Sequence, residues 1–422
     1  MSGASASGAP PGGAASASGA DGGGPLAGLR VLDLTAVLMG PFATQILGDM
    51  GADVIKVEAP SGDTSRGIGP MRHPGMGGGF LQVNRNKRGV CIDLKTEAGR
   101  GVLLELARGA DVLVYNVRPA AMKRLRLTWE DVSAVNPRIV HAGVFGYGQD
   151  GPYAAYPAYD DLIQGAIGLP ALLARTGDGT PRYVPIVFVD RAVGMAAVNA
   201  ILAALVRRGV TGRGQAVEVP MFETMVPFVL GEHIAGHAFE PPLGPIGYPR
   251  LLAPERRPYE TLDGHVCAVI YTDRHWRAFY EMTGRADAFD RDERVRTIGE
   301  RTRHMAALHA ETAGFVRGDT TARWLERLTA ADIPCMRLNT PETLLHDPQL
   351  EAVGFFERVE HPSEGAIRQM RPAAAFSEPG RATTLPAPRL GQHTREVLRE
   401  AGYDDDAVGR LIDAGAVFEE RR

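Results

Sequence analysis

Residues 29–58 carry a strand, a helix and a second strand within about 30 residues, and that spacing constrains the fold more than any other feature of the chain. Leu29-Arg30-Val31-Leu32-Asp33-Leu34 reads as a strand. Pro41 stands where a first helical turn accepts proline, and Gly51 stands where a helix commonly ends. Asp53-Val54-Ile55-Lys56-Val57-Glu58 reads as the second strand, stopped by Ala59-Pro60. A strand, a crossover helix and a strand this close together pair in parallel.

The alternation continues. Helical patterning over Ala98–Arg108 precedes the strand Asp111–Tyr115, and a short helix over Trp129–Val135 precedes the strand Arg138–Val144. Gly89–Leu94 is a further expected strand. The series predicts an α/β fold with an open sheet and helices on both faces, binding its ligand beyond the carboxyl ends of the strands. The texture changes between about Gly231 and Gly354. Pro241 to Pro258 is rich in Pro and Gly, and helical patterns follow around His275–Thr283, Met305–Phe315 and Thr321–Ala331. Two more helical stretches, His393–Ala401 and Asp404–Gly415, end the chain. The expected division is a large unit from 26–231 and 352–422 and a smaller α+β unit from 232–351.

The first residues, 1–25, are mostly Gly, Ala, Ser and Pro without Lys or Arg, and read as a disordered extension rather than a signal peptide. With a net charge of -4 and no basic run, nucleic acid and anionic membranes are poor partners. No uninterrupted apolar stretch approaches the length of a membrane span. Cys91, Cys267 and Cys335 are too far apart for a zinc or disulfide framework and fit a reducing, cytoplasmic setting.

Several motifs have two readings. Gly146-Tyr147-Gly148-Gln149-Asp150-Gly151 matches a dinucleotide fingerprint, but Pro152 and Tyr153 replace the helix it requires, so a turn is favoured. Asn84-Arg85-Asn86-Lys87-Arg88 is either a solvated loop or a phosphate clamp. Tyr183–Asp190 reads as an apolar strand followed by a small-residue helix, with Asp190 at the junction. An Asp there is most commonly a helix cap. At a strand's carboxyl end it is also where a nucleophile or general base belongs. His233 and His237 share a helical spacing, but their neighbouring Glu232 precedes the pair, the wrong order for a zinc motif, and no metal is expected.

Taken together, an ordered set of segments resembles the class III CoA-transferases, the group of formyl-CoA and carnitine CoA-transferases. The set runs through Leu26–Asp33, Gly40-Pro41-Phe42-Ala43, Gly51–Glu58, Asn86-Lys87-Arg88, Asp93-Leu94-Lys95, Asp111–Asn116, Gly146-Tyr147-Gly148, Gly151-Pro152-Tyr153, Pro157–Asp160, Asp190, Thr211–Gln215 and Leu390–Thr394. The resemblance implies a Rossmann-like large domain built from both chain ends, a small domain, and an interlocked, ring-shaped homodimer. It implies coenzyme A as a substrate rather than a tightly bound cofactor, with acyl-CoA and carboxylic acid as partners. Asp190 then matches the catalytic aspartate, which forms an aspartyl-CoA intermediate. The CoA contacts fall on Val37, Leu38, Ile92, Asp93, Leu94, Lys95, Asn116, Arg124 and Tyr159.

The chain departs from the formyl-CoA branch at Leu38, where that branch has Gln, and in lacking its Gly-rich loop. An Arg that some members use on the adenosine phosphates matches Ala59. Rival readings are an α-methylacyl-CoA racemase, whose Gly-His-Asp is here Ala158-Tyr159-Asp160, an intramolecular CoA-transferring isomerase, and a non-catalytic CoA-binding protein.

Overall fold

The computed structural model describes residues 23–377 and 384–420; most of the expected disordered extension, residues 1–22, lies outside them. The expected βαβ unit forms as β1 (Arg30–Leu34), α1 (Met39–Asp49) and β2 (Asp53–Glu58), with β1 and β2 parallel from Arg30 opposite Asp53. The chain continues through α2 (Gly78–Val83), β3 (Lys87–Ile92), α3 (Glu97–Arg108), β4 (Val112–Tyr115), α4 (Pro119–Leu125), α5 (Trp129–Val135) and β5 (Val140–Phe145). Then follow α6 (Asp160–Ala166), α7 (Leu169–Thr176), α8 (Phe188–Thr211), β6 (Gln215–Pro220) and α9 (Met221–His233).

The six strands stand in the order 3-2-1-4-5-6, all parallel. The order reverses between β1 and β4, the switch point at which doubly wound sheets bind ligands. After β1 to β6, three short strands, β7 (Tyr259–Glu260), β8 (His265–Ala268) and β9 (Cys335–Arg337), form a separate antiparallel sheet. β10 (Phe356–His361) and β11 (Gly365–Met370) form a hairpin. The last strand, β12 (Val417–Phe418), returns to the large sheet antiparallel to β3, so both chain ends build it. Arg88 fastens this return by pairing with Asp53 on β2 and with Glu396 and Glu400 near the C-terminus.

Each face of the large sheet has its own core. One is filled by Val31, Val54, Val112 and Val140 of the strands against α1, α6, α8 and α9, through Ala43, Leu47, Ile163, Val193, Ile201 and Met225. The other is filled by Leu32, Ile55, Leu113 and Ile92 against α3 and the C-terminal helices, through Leu103, Leu106, Val397 and Val408. A third cluster, including Trp276, Phe279, Tyr280, Leu308 and Trp324, packs around the β7–β9 sheet.

Two sequence expectations are corrected. Tyr183–Asp190 is not a strand: the chain is irregular until α8 begins at Phe188. The place beside β5 is taken by β6, and α8 is the crossover that reaches it, so the apolar residues Val189 and Val193 face a core along a helix. β3 also begins two residues before the expected Gly89, because Lys87 and Arg88 pair with Val54 and Ile55 of β2. By length and composition α8 could cross a membrane, with a mean hydropathy of 1.6. Here it is the crossover helix of the sheet, and Val189, Val193, Ala197, Val198 and Ile201 on its inner side are buried.

Candidate active site

Because the strands are parallel, the segments leaving β1, β3 and β4 emerge at one edge of the sheet. These are Thr35–Leu38, Asp93–Lys95 and Asn116–Arg118. α8 ends where β6 starts, at the opposite edge, so its first turn, which carries Asp190, lies at the same carboxyl edge. This topology gathers the expected site residues from four distant parts of the chain.

The loop after β1 rests on a buried ionic frame. Asp33, wholly buried, accepts from Lys87 Nζ at 2.9 Å and from the hydroxyls of Thr35 and Thr44. Burial alone would raise its pKa, but Lys87, Lys56 and the two hydroxyls hold it down to about 2. Lys56, also wholly buried, donates to the Thr35 carbonyl at 3.0 Å and to Asp63 at 2.9 Å. Glu58 grips Arg66 through both carboxylate oxygens, at 2.8 and 2.6 Å. Buried charges persist only when paired in this way.

This arrangement overturns the phosphate-clamp reading of Asn84–Arg88. Arg85 pairs with Asp49, Lys87 with Asp33, and Arg88 with Asp53, Glu396 and Glu400. The run is framework, turned inward because carboxylates on neighbouring elements neutralise it.

Above the frame, Val37 has a backbone φ of 71°, a left-handed conformation that a β-branched residue adopts only under constraint. Its N–H donates to Asp63 at 3.0 Å. The preceding Ala36 is held at both backbone groups by the Asn116 side chain, at 3.0 and 2.8 Å. Asn116 thus engages its amide on the loop, joining the segments that leave β1 and β4. The twist delivers Leu38 as the N-cap of α1, which has no side-chain cap and no acidic residue in its first turn. An uncapped helix N-terminus presents unpaired N–H groups and a partial positive charge.

α8 seats its first turns against this N-terminus. A Cβ on Gly194 would stand 2.9 Å from the Met39 carbonyl oxygen, so only glycine allows the approach. One turn earlier, the Arg191 guanidinium stacks 4.6 Å from the Phe42 ring. Asp190 lies beside Arg191 in that first turn and is partly buried. It does not cap the helix, whose N-cap is Val187 without a side-chain bond. Burial, then the adjacent Asp160 carboxylate, raise the Asp190 pKa to about 6, against the opposing pull of Arg191.

The other expected contacts separate into two groups. Leu94, Lys95 and Arg124 line one cavity of about 590 Å³ together with Arg100 and Arg126. Arg124 also lines an adjoining cavity of about 340 Å³ with Arg118 and Gln149. Arg100, Arg118 and Arg126 escaped the sequence reading, although the basic spacing Arg118, Lys123, Arg124, Arg126 was visible. Ile92 is buried at the end of β3, and the Asp93 carboxylate accepts the Lys95 N–H at 3.0 Å. Tyr159, 68% exposed, is the N-cap of α6 and immediately precedes Asp160.

The dinucleotide-like Gly146–Gly151 is a turn, tied by Glu223 accepting the Gly148 N–H at 2.9 Å. His233 is buried, and its ring accepts the Tyr248 N–H at 3.2 Å. Among the described residues no group of three or more His, Cys, Asp and Glu is arranged to hold a metal ion.

Comparison with known proteins agrees with this architecture. The sequence profile of CoA-transferase family III matches residues 26–394. The chain is 30% identical to succinyl-CoA:glutarate CoA-transferase of Homo sapiens, over 93% of this chain and 90% of that protein. It is 32% identical to formyl-CoA:oxalate CoA-transferase of Streptomyces coelicolor, over 93% and 99%. Among solved structures, Rv3272 from Mycobacterium tuberculosis superposes with a TM-score of 0.77 at 29% identity, covering 89% of this chain and 99% of that one. A CAIB/BAIF family protein from Brucella suis superposes with a TM-score of 0.75 at 28% identity, over 90% and 100%. With the profile spanning the six parallel strands, the chain belongs to CoA-transferase family III and is a CoA-transferase enzyme.

Proposed function

We propose that the enzyme moves coenzyme A from an acyl-CoA donor to a carboxylic acid through a covalent intermediate on Asp190. The observation that carries this reading is the position of Asp190, partly buried on the turn of α8 that packs against the uncapped N-terminus of α1. The Asp190 carboxylate attacks the donor thioester carbonyl, expels the CoA thiolate and leaves a mixed anhydride. The thiolate then attacks the Asp190 carbonyl, releasing the donor acid and forming an aspartyl-CoA thioester. The acceptor carboxylate reverses these two exchanges, carrying CoA away and freeing Asp190. Each attack makes an oxyanion, and the N–H groups of Leu38, Met39 and Gly40 are the candidate donors to it, the Val37 N–H being taken by Asp63. Loss of one such donor typically costs about 10²–10³ in rate.

Lys95, Arg100, Arg124 and Arg126 are assigned to the CoA phosphates, because guanidinium and ammonium groups make charge-assisted bonds to phosphate oxygens. Racemisation is disfavoured because Tyr159, not a histidine, precedes Asp160.

The working unit in this reading is an interlocked homodimer. Its support on this chain is the apolar outer side of α8 and α9, where Met195, Val206, Val210 and Phe228 are each more than half exposed. The division into 26–231 with 352–422, and 232–351, belongs to the same reading and is supported by the separate core around β7–β9. So does a cytoplasmic setting, on the sparse and widely spaced cysteines. Succinyl-CoA and glutarate, the pair named for the human relative, are the first substrates to try.

The test is mass spectrometry after incubation with succinyl-CoA and trapping with hydroxylamine or borohydride. Modification confined to the peptide bearing Asp190, and absent in Asp190→Ala, is the expected result. No adduct with several donors, from protein that still binds CoA, would defeat the covalent reading.

A further inference from the structure

Asp160 is a charged residue with no role in the chemistry above, yet it is buried, at 8% exposure, at the start of α6. One carboxylate oxygen accepts the backbone N–H of Asp190 at 2.9 Å, a bond between residues thirty apart in sequence. The other accepts from the Gln164 side chain at 2.6 Å. Gln164 is wholly buried, and its own carbonyl oxygen accepts the Val184 N–H at 2.9 Å. The chain from Val184 through Gln164 and Asp160 to Asp190 therefore fixes both the irregular segment leading into α8 and the α8 turn that carries the reacting group.

We propose that Asp160 is a positioning residue for CoA transfer, holding the α8 turn at the Asp190 backbone while setting a second negative charge beside the Asp190 carboxyl. The inference rests on the reading of Asp190 as nucleophile and deepens it. The two functions of Asp160 come from different properties. Its oxygens supply acceptors of fixed geometry, and its charge acts on Asp190 through space.

The charge makes Asp190 a stronger base and so a stronger nucleophile toward a carbonyl, at the expense of the fraction ionised at lower pH. The elevation of the Asp190 pKa by this neighbour, after burial, agrees with the geometry. The other charges near Asp190 are few. Arg191 on α8 opposes the effect, Asp161 on α6 is exposed, and Glu223 on α9 is engaged at the Gly148 N–H. On α1 the acidic residue is Asp49 at its far end, paired with Arg85.

The test uses the full chain with Asp160→Asn, which removes the charge and keeps one acceptor oxygen, and Asp160→Glu, which keeps the charge and moves it. Asp190 is titrated without turnover, by its pH-dependent esterification with a diazo reagent that attacks protonated carboxyls, read by peptide mass spectrometry. Asp160→Asn should lower the Asp190 midpoint by about one pH unit, with the acid limb of kcat/KM moving in the same direction. Asp160→Glu should leave the midpoint in place and lower kcat by about tenfold or more, with KM for the acyl-CoA little changed.

A midpoint unmoved in folded Asp160→Asn overturns the electrostatic half of the proposal. Activity within twofold of the parent in Asp160→Glu overturns the positional half, and remains readable if Asp160→Asn does not fold. If the midpoint moves but no CoA adduct ever forms on Asp190, the nucleophile reading fails while the influence of Asp160 on Asp190 stands.

Discussion

The Asp63 carboxylate accepts the backbone N–H of Val37 at 3.0 Å with one oxygen and lies 2.9 Å from the Lys56 ammonium with the other. A buried ion pair thus holds a β-branched residue at a φ of 71°. A strained backbone of this kind costs about 1–3 kcal/mol and persists only where the surroundings impose it. Val37→Gly should therefore raise stability to chemical denaturation by about 1 kcal/mol, after the extra chain entropy of glycine is offset. It should also raise KM for the acyl-CoA, because the loop feeding α1 loses its enforced shape. Unchanged stability and unchanged KM together would show that Val37 is not under constraint.

The pair of Lys87 and Asp33 is wholly shielded from solvent. Lys87→Met leaves the Asp33 carboxylate buried without the cation paired with it, and breaking such a pair typically costs about 3–5 kcal/mol. Urea unfolding at neutral pH measures this, and the double change Asp33→Leu with Lys87→Met should recover most of the loss. The pH dependence has a fixed sign. Asp33 is held at about 2, below its ordinary 3.8, so its contribution is present above about pH 4 and fades as pH falls toward 2.

Asp190 has the opposite sign. Its pKa is raised to about 6, so the folded enzyme opposes the charged carboxylate that the proposed chemistry needs. kcat/KM should fall as pH falls through about 6. Asp190→Asn should abolish transfer yet stabilise the protein at neutral pH, by up to about 2 kcal/mol after allowance for partial exposure. That gain should fade as pH falls from about 6 and be gone by about pH 3, where Asp is protonated in folded and unfolded chains alike. Stability curves at about pH 7 and about pH 3 for both proteins decide it, and an inactive variant with no gain at neutral pH would show that the charge is not disfavoured.

The basic cleft makes a separate prediction. Arg124→Ala and Arg126→Ala should each raise KM for the acyl-CoA by roughly tenfold or more, the worth of one charged hydrogen bond. kcat should change little, because the phosphates bind equally before and during reaction. Raising the ionic strength should narrow the difference between parent and variant. A loss confined to kcat would remove these residues from CoA binding.

Much of this was legible in the chain. Asp53–Glu58, Ala98–Arg108 and Trp129–Val135 fold where expected to within a residue, because the strand is buried on both faces of the sheet and the two helices each bury one apolar face against it. Asp190 stood out by its place before an apolar helix, and Lys95 and Arg124 by resemblance. The apolar run Tyr183–Val189 misled because a short apolar run does not by itself identify a strand, and only the presence of β6 beside β5 left this segment no place in the sheet, so it runs irregularly until α8 begins at Phe188.

What the sequence determined by itself was local: where strands and helices alternate, where proline and glycine punctuate them, and hence a parallel sheet with its ligand edge at the strand ends. The tertiary structure decided which charges face inward and which line an open cavity. Lys87 and Lys95 stand only eight residues apart. One is sealed against Asp33 and the other is exposed at a cavity with Arg100 and Arg124. The difference lies in long-range neighbours, since Asp33 is 54 residues from Lys87. The same holds for Asp160 and Asp190, whose coupling exists only because α6 and α8 meet at one edge of the sheet. Burial and Coulomb interaction act through space, and a linear pattern does not contain those distances.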